Sequence, residues 1–307
     1  MVTKLSGYLA HEAQQVIILR EGPRENVLML VWDLRTDNIT PGQWIKSQVL
    51  YENCDVSPDA NHFVGAFIDH HSRRWEASPV PHAMRGWVAV SRPPFFLSVA
   101  LCYTNHFGQA AGRWHSNDDL ILTHEEDFHE EVQPPSPAAQ VIKLSGSPPW
   151  NQEPLYTARL LRSELLVRGW QEIQPLAATQ IPSNEDLGLD PRLRLRFTDV
   201  FSLQRRILLH PAIWICPLPH GMLKCTRSEE GTLFEAIDDE GRRHRQWMPE
   251  RGKHPLIAAD SDGSIIFTDG PYLYRWKVFP DRKPTLVADL TDYTFTPLPA
   301  PAWAKDW

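Results

Sequence analysis

The sequence has few cysteines and no long apolar run, and these two absences exclude several classes of protein. Its 307 residues include four cysteines, which form no Cys-x-x-Cys pair, so neither a paired-cysteine zinc site nor a dithiol redox motif is indicated. No apolar run approaches the roughly 18 residues that a membrane-spanning helix needs. Residues 1–15 also lack the apolar stretch of a signal peptide. We therefore expect a cytoplasmic protein with no membrane partner.

Motifs for nucleophilic and nucleotide-dependent catalysis are also missing. The chain contains no Gly-x-Ser-x-Gly, no phosphate-binding Walker loop and no Gly-x-Gly-x-x-Gly after a strand-like run. Cys54 and Cys102 lie in apolar runs, where a thiol behaves as a small buried hydrophobic group. No cofactor is expected.

The charge balance argues against nucleic acid as a partner. The chain has 31 Lys and Arg against 38 Asp and Glu, a net charge of -7, whereas nucleic-acid-binding domains carry a basic surface. Two short basic clusters, residues 192–196 and 242–245, are flanked by acidic residues. Solvated surface positions explain them better than a binding patch.

Proline and tryptophan are abundant, with 27 and 12 residues, and they favour short strands joined by turns over a helical bundle. Strand-like runs include "QQVIILREG", "NVLMLVWDLRTD", "NHFVGAFID", "GWVAVS", "FFLSVALCY", "AIWICPL" and "SIIFTDGPYLYRWKV". Turn clusters such as "EGPREN" and the pair Pro93-Pro94 separate them. The sequence therefore predicts an all-β fold.

Two stretches differ from this pattern. Residues 125–154 are acidic and then proline-rich, which indicates a linker or a surface excursion. Residues 295–307 form a proline-rich tail that we expect to lie extended on the surface.

A weak internal echo links two distant segments. Asp55–Val64 ("DVSPDANHFV") and Asp260–Phe267 ("DSDGSIIF") each place an Asp and a polar turn before an apolar strand. The segments "HSNDDLILT" and "AIDDEGRRHRQW" are looser copies. Hairpins repeated at intervals of tens of residues indicate a radial repeat, because each hairpin has to bury its inner face against a neighbour.

The stretch "DVSPDANHFVGAF" resembles the Ser-Pro-Asp-Gly repeat of β-propellers, with Ala60 where glycine is usual, and "SDGSIIFTDGPYLYRWKV" resembles a propeller blade. This resemblance implies a single irregular propeller-like domain over residues 1–307 with five or six blades. The segments "GQW…YENCDVSPD", "VAVSRPP" and "PAPAWAKDW" further resemble bacterial proteins of similar length, a resemblance that implies no known activity.

Two groups of residues are candidates for chemistry. Asp69-His70-His71 contains good ligands for a transition metal, but neighbouring residues of a strand point to opposite faces, so a polar loop is the favoured interpretation. Asp55, Asp119, Asp199 and Asp260 lie near strand ends. They would suit a hydrolase that uses an acid and a base around a central channel, although turns demand Asp at the same positions.

The leading functional hypothesis is a non-enzymatic binding or scaffold module, because loops on a rigid scaffold carry recognition. The acidic loop with Glu125, Glu126, Asp127, Glu130 and Glu131 is the candidate surface for a protein partner, such as a basic protein that it neutralises. The alternative is a carbohydrate-active or metal-assisted hydrolase that uses the four aspartates.

Overall fold

The computed structural model describes residues 3–68, 86–104, 111–114, 116–124, 140–145, 165, 168–174, 212–228, 231–249 and 254–305. These residues form β-strands β1 to β21 in five sheets, with short 3-10 turns between some of them. The predicted all-β class is confirmed. None of the helices in the described ranges is both long and apolar enough to cross a membrane.

The strands group into sheets in chain order. Sheet A contains β1 (Lys4–Ala10), β2 (Gln15–Glu21), β3 (Asn26–Asp33) and β4 (Asn38–Lys46). Sheet B contains β5 (Gln48–Val49), β6 (Asp55–Val56), β7 (Phe63–Ile68), β8 (Gly86–Ser91) and β9 (Ser98–Thr104). Sheet C contains β10 (Ala111–Trp114), β11 (Asp119–His124) and β12 (Gln140–Ser145). Sheet D contains β13 (Gln171–Gln174), β14 (Ala212–Leu218), β15 (Gly221–Ser228), β16 (Gly231–Asp238) and β17 (Arg243–Trp247). Sheet E contains β18 (Ile257–Ala259), β19 (Ile265–Asp269), β20 (Tyr272–Trp276) and β21 (Thr285–Asp289).

Neighbouring strands are antiparallel in sheets A, B, D and E. Sheet C adds one parallel pair, between β11 and β12. Strand β12 falls inside the segment 125–154 that we expected to be a linker or excursion, and the rest of that segment lies outside the described residues.

The chain divides into two compact units. One is Met1–Ser147 with Gly252–Trp307, which holds sheets A, B, C and E, and the other is Pro148–Arg251, which holds sheet D. The expectation of one domain over residues 1–307 stays a prediction.

Strands β1 to β3 of sheet A are buried on both faces, and the alternation along β2 shows how. Ile17 and Leu19 pack in a core with Val49, Phe63 and other residues of sheet B. Val16 and Ile18 point the other way, because successive side chains of a strand alternate between faces, and they pack with residues of sheet E that include Ile266. The continuous apolar run "VIIL" is therefore a strand without a solvent face, a pattern common in central strands.

Sheet B is buried on its far side as well. Val64, Ala66, Val88 and Val90 form a core cluster with Trp114 and Leu120 of sheet C. In the first unit, the packing order is therefore C, B, A, E. The first sheet along the chain contacts the last.

Sheet D, in the second unit, buries one stripe across its central strands. Trp214 pairs with Cys225, which pairs with Phe234, and all three side chains are buried. Trp170 packs edge-on against Phe234, with ring centroids 6.0 Å apart.

The seam between sheets A and E is too close for a side chain on Gly7. The Gly7 N–H donates to the His254 carbonyl at 3.0 Å, and a Cβ on residue 7 would lie 2.7 Å from Leu256 Cβ. Because atoms of a packed strand yield little, an added methyl group has to push the two sheets apart.

We expect Gly7→Ala to lower the free energy of unfolding by about 1–3 kcal/mol, the usual cost of overpacking a core. Urea denaturation followed by tryptophan fluorescence measures the change. Lys46→Ala, at the exposed end of β4, is the control and should change stability by less than about 0.5 kcal/mol. Equal effects of the two substitutions would contradict a close A–E seam.

Candidate functional site

Asp55, a predicted catalytic carboxylate, is a buried residue of the seam between sheets B and C. It is 6% exposed, and its Oδ2 accepts the backbone N–H of Trp114 at 3.0 Å. The adjacent Arg113, also buried, donates to the Cys54 carbonyl at 2.7 Å. Asp55 therefore joins two sheets.

Asp260, a second predicted carboxylate, caps its own turn and holds a buried arginine. One oxygen accepts the Ser261 N–H at 2.6 Å, and the other accepts Arg275 Nη1 at 2.7 Å. Arg275, which is 3% exposed, also donates to the Leu34 carbonyl at 2.7 Å. Asp260 thus contributes to the seam between sheets E and A.

The remaining predicted site residues are not described by the structure. Asp199, the metal candidate Asp69-His70-His71 and the acidic loop Glu125, Glu126, Asp127, Glu130 and Glu131 lie outside the described residues, as does the side chain of Asp119. The convergence of four carboxylates therefore stays a prediction. Among the described residues, no three His, Cys, Asp or Glu side chains are grouped to hold a metal ion.

Cys54 is not a nucleophile at neutral pH. Burial raises the pKa of its thiol to about 11, so the group is protonated, whereas the thiolate is the reactive form. The thiol donates to the Leu50 carbonyl at 3.3 Å. This agrees with the expectation that Cys54 is a small buried hydrophobic residue.

Four turns of the first unit lie side by side and form what we term the turn row. They are residues 11–14 of sheet A, 57–62 of sheet B, 116–118 of sheet C and 260–264 of sheet E. The first link joins sheets A and B, where the N–H groups of Glu12 and Ala13 donate to the Pro58 carbonyl at 3.0 and 3.2 Å.

Asn117 adds the turn of sheet C to the row. Its side-chain oxygen accepts the backbone N–H of Asp59 at 2.9 Å, and its Nδ2 donates to Glu12 Oε2 at 2.8 Å. One amide side chain therefore bridges the turns of sheets A, B and C.

Gln14 adds the turn of sheet E. Its Nε2 donates to Ser261 Oγ at 2.9 Å. The turn row is thus a continuous set of hydrogen-bonded contacts from sheet C to sheet E.

The turns of sheets B and E are built alike, as the sequence echo between them suggests. Asp59 accepts Ser57 Oγ at 2.6 Å and the Asn61 N–H at 3.0 Å. Ala60 has φ 63° and Gly263 has φ 79°, so alanine adopts the left-handed conformation that usually favours glycine. Ala60 thus has the same left-handed backbone as Gly263 in the turn of sheet E.

The turn row carries exposed negative charge. Glu12, Asp118 and Asp262 are exposed, and Asp59 is half-buried. Burial acts to raise the pKa of Asp262, but hydrogen bonds from Ser264 and the charges of Arg275 and Lys277 outweigh it and hold the pKa below its ordinary value. This carboxylate is therefore ionised at neutral pH.

His62 adds no positive charge to the row at neutral pH. Its ring stacks on Trp114, with centroids 5.6 Å apart. Burial lowers the pKa of His62, and the attraction of Asp59 only partly offsets this. The ring is therefore uncharged near pH 7.

Sheet D has a separate polar cluster around Asp238. The Asp238 carboxylate accepts His244 Nε2 at 2.8 Å, Arg242 Nε at 2.7 Å and the backbone N–H of Arg242 at 2.8 Å. The His244 bond is the largest influence, and together with Arg242 it holds the pKa of Asp238 far below its ordinary value. The basic cluster 242–245 is thus partly neutralised at the β16–β17 turn.

Asp238→Asn should lower the stability of the β16–β17 hairpin at neutral pH, because an amide oxygen holds Arg242 and His244 less strongly than a carboxylate. A depressed pKa contributes stability that is present above the unfolded-state value of about 3.9 and is lost as pH falls below it. The difference in the free energy of unfolding between wild type and variant should therefore become smaller as the pH falls.

Urea denaturation of both proteins between about pH 3 and pH 7 tests this dependence. Asp239→Asn, on the exposed neighbouring residue, is the matched control and should show no such narrowing. A gap that is constant across this range would contradict the assigned role of the Asp238 charge.

Distant structural similarity links this chain to solved structures. Acylaminoacyl peptidase from Pyrococcus horikoshii, in an orthorhombic crystal form, has a TM-score of 0.36 and 11% sequence identity to this chain. The alignment covers 94% of this chain and 45% of that one, so this chain spans less than half the length of that protein. No protein-family model matches the sequence, and no curated protein matches it.

Sequence reasoning missed the residues that join the turns. Glu12 and Gln14 lie in "HEAQ", which contains none of the Gly, Pro, Asn, Asp or Ser residues that mark turns. Asn117 belongs to "HSNDDL", a segment that the sequence echo did select. Its role as a bridge depends on three turns that come together only in the folded chain.

Proposed function

We propose that this chain is a non-enzymatic, propeller-like binding module and that the turn row binds a basic protein partner. The observation that carries the proposal is the row itself, in which turns from four sheets form one hydrogen-bonded surface with exposed carboxylates of Glu12, Asp118 and Asp262. The partner class is the one expected from the sequence, although the residues differ from the acidic loop proposed there.

The propeller-like arrangement is supported by the packing of the first unit. Sheets of three to five strands pack face to face, as blades do, and all of their strand pairs except β11–β12 are antiparallel. Sheet E, late in the chain, packs against sheet A, the first, through Ile18 and Ile266. A radial repeat closes on itself in this way. The number of blades, five or six, stays a prediction.

Binding is supported by the rigidity of the row. Glu12 and Ala13 are fixed through Pro58, and Asn117 fixes Glu12 and Asp59. A surface that is already ordered loses little conformational entropy when a partner binds. Its negative charge, within a chain of net charge -7, would attract a basic partner over long range and set the orientation of encounter.

A hydrolase remains the alternative, and the described aspartates favour it less. The carboxylate of Asp55 accepts a hydrogen bond from Trp114, and that of Asp260 accepts hydrogen bonds from Ser261 and Arg275. A general acid or base has to reach a substrate proton, and these two groups are held by partners within the protein.

The test uses a lysine-rich peptide as a defined basic probe and isothermal titration calorimetry as the measurement. We expect the triple variant Glu12→Gln, Asp118→Asn, Asp262→Asn to bind the probe about fivefold more weakly, because each exposed ion pair contributes about 0.3 kcal/mol. The dependence of affinity on salt should also fall, because fewer charges take part.

The matched control is Asp239→Asn, Asp281→Asn, Asp292→Asn, which removes the same charge from exposed positions outside the row. It should bind the probe almost as wild type does. Equal weakening in both triple variants would mean that net charge alone attracts the probe, and the proposed site would be rejected.

A further inference from the structure

The segment from Thr294 to Trp303, which we term the proline segment, lies on the surface of the first unit. Its sequence is "TFTPLPAPAW", and it belongs to neither a strand nor a helix until a 3-10 turn begins at Ala302. Residues 294–299 are all exposed. The segment lies on the surface as expected, and its extended conformation stays a prediction.

Steric rules restrict the middle of this segment to one kind of conformation. Proline fixes φ near -65°, and a residue that precedes proline is pushed towards extended or polyproline II backbone. Pro297, Pro299 and Pro301 alternate with Thr296, Leu298 and Ala300, each of which precedes a proline. Thr296, Leu298 and Ala300 are therefore pushed towards extended or polyproline II backbone, and the three prolines have the φ value that this backbone needs.

Arg20 fixes the chain just before the segment. Its Nε donates to the Leu290 carbonyl at 2.6 Å, and its Nη2 donates to the Thr291 carbonyl at 2.5 Å. The guanidinium lies between the rings of Trp44 and Tyr293, 5.8 and 5.7 Å from their centroids. Arg20 is 2% exposed, so this attachment belongs to the core.

Gln43 fixes the middle of the segment. Its Nε2 donates to the Leu298 carbonyl at 2.8 Å, while its Oε1 accepts the Phe96 N–H at 2.9 Å. The bond uses a backbone group, so the Leu298 side chain is left 42% exposed.

Arg92 and Ala304 fix the far end. Arg92 Nη1 donates to the Trp303 carbonyl at 3.1 Å and lies over the Trp303 ring, 5.3 Å from its centroid. Ala304 is fully buried. The proline segment is therefore attached at both ends and at its centre, so its backbone is restrained before any partner arrives.

Between these attachments the segment presents apolar side chains to solvent. Phe295 is 59% exposed, Leu298 is 42% exposed and Trp303 is 46% exposed. Residues three apart lie on the same edge of a polyproline II helix, which groups Phe295 with Leu298. Extended proline-rich chains with such side chains are bound by grooves lined with aromatic rings, because the ligand is already ordered.

We propose that the proline segment is a docking ligand for a partner protein with an aromatic-lined groove of the kind that takes polyproline II chains. The groove would stack its rings on Pro299 and take Leu298 and Phe295, on the neighbouring edge of the helix, into adjoining pockets. This surface differs from the turn row in place and in chemistry, so either proposal can fail without the other.

The test titrates the full chain into three purified probes whose aromatic grooves bind proline-rich chains: an SH3 domain, a WW domain and a profilin. We expect at least one probe to bind. The double variant Phe295→Ser, Leu298→Ser should weaken that binding at least about tenfold, as loss of central anchor residues does. Calorimetry measures the affinity, and circular dichroism checks that the variant folds.

Leu286→Ser is the matched apolar control, since Leu286 is 49% exposed on β21, and Pro23→Ala is the matched proline control at an exposed turn. Both should bind as wild type does. Absence of binding to all three probes overturns the proposal, and so does binding that the segment variant leaves unchanged.

Pro297→Ala with Pro299→Ala is a second variant that leaves the Arg20, Gln43 and Arg92 attachments in place. It removes the proline rings and the backbone restriction together. Binding should again weaken at least about tenfold. Affinity equal to wild type would mean that the groove does not recognise proline, which contradicts the proposal.

Discussion

Strands β1 to β3 of sheet A have no face left for solvent, and the rest of the first unit depends on this constraint. These three strands have to be largely apolar on both sides, and each of their buried backbone groups has to find a partner within the protein, because an unpaired buried amide or carbonyl group is costly. Ile17 and Leu19 need sheet B, and Val16 and Ile18 need sheet E. Neither neighbour is dispensable. Sheet A alone would expose one apolar face or the other to water.

The polar groups at the seams follow from the same constraint. Arg20, Arg113 and Arg275 are buried, and each donates to backbone carbonyls of a neighbouring segment. Such bonds satisfy carbonyls that lie outside a strand ladder, and they also make the charged group tolerable in the interior. Asp55 and Asp260 act as hydrogen-bond acceptors at the same seams, where the arginines act as donors. This explains why Asp55 and Asp260, two members of the set that looks catalytic in the sequence, are engaged within the fold.

Local features of the fold could be predicted, and contacts between sheets could not. The apolar runs and the turn "EGPREN" predict β2 and β3, and Pro93-Pro94 separates β8 from β9 as expected. These signals are local, since a strand is marked by its own side chains and a turn by its own residues. The candidate site differs because Gln14 and Ser261 lie 247 residues apart in the sequence. The residues on either side of Gln14 and Ser261 in the sequence do not indicate this hydrogen bond. The turn row could therefore be recognised only from the arrangement of the sheets in the structure. The contacts of the proline segment with Gln43 and Arg92 could not be predicted for the same reason. Its surface position, by contrast, could be predicted from the prolines alone.

The contact between the first and last sheets has a consequence for how the chain folds. Arg275 and Leu34 are 241 residues apart in the sequence, so the A–E seam is among the least local contacts in the molecule, and such contacts slow folding. During synthesis, β1 to β4 emerge long before β18 to β21. Throughout that interval, Val16, Ile18 and the other residues that will face sheet E lack their native cover. An apolar surface that stays exposed to solvent for this long can associate wrongly with other chains. Strands β1 to β3 are buried on both faces in the folded protein, and their face towards sheet E is uncovered while most of the chain is still being made.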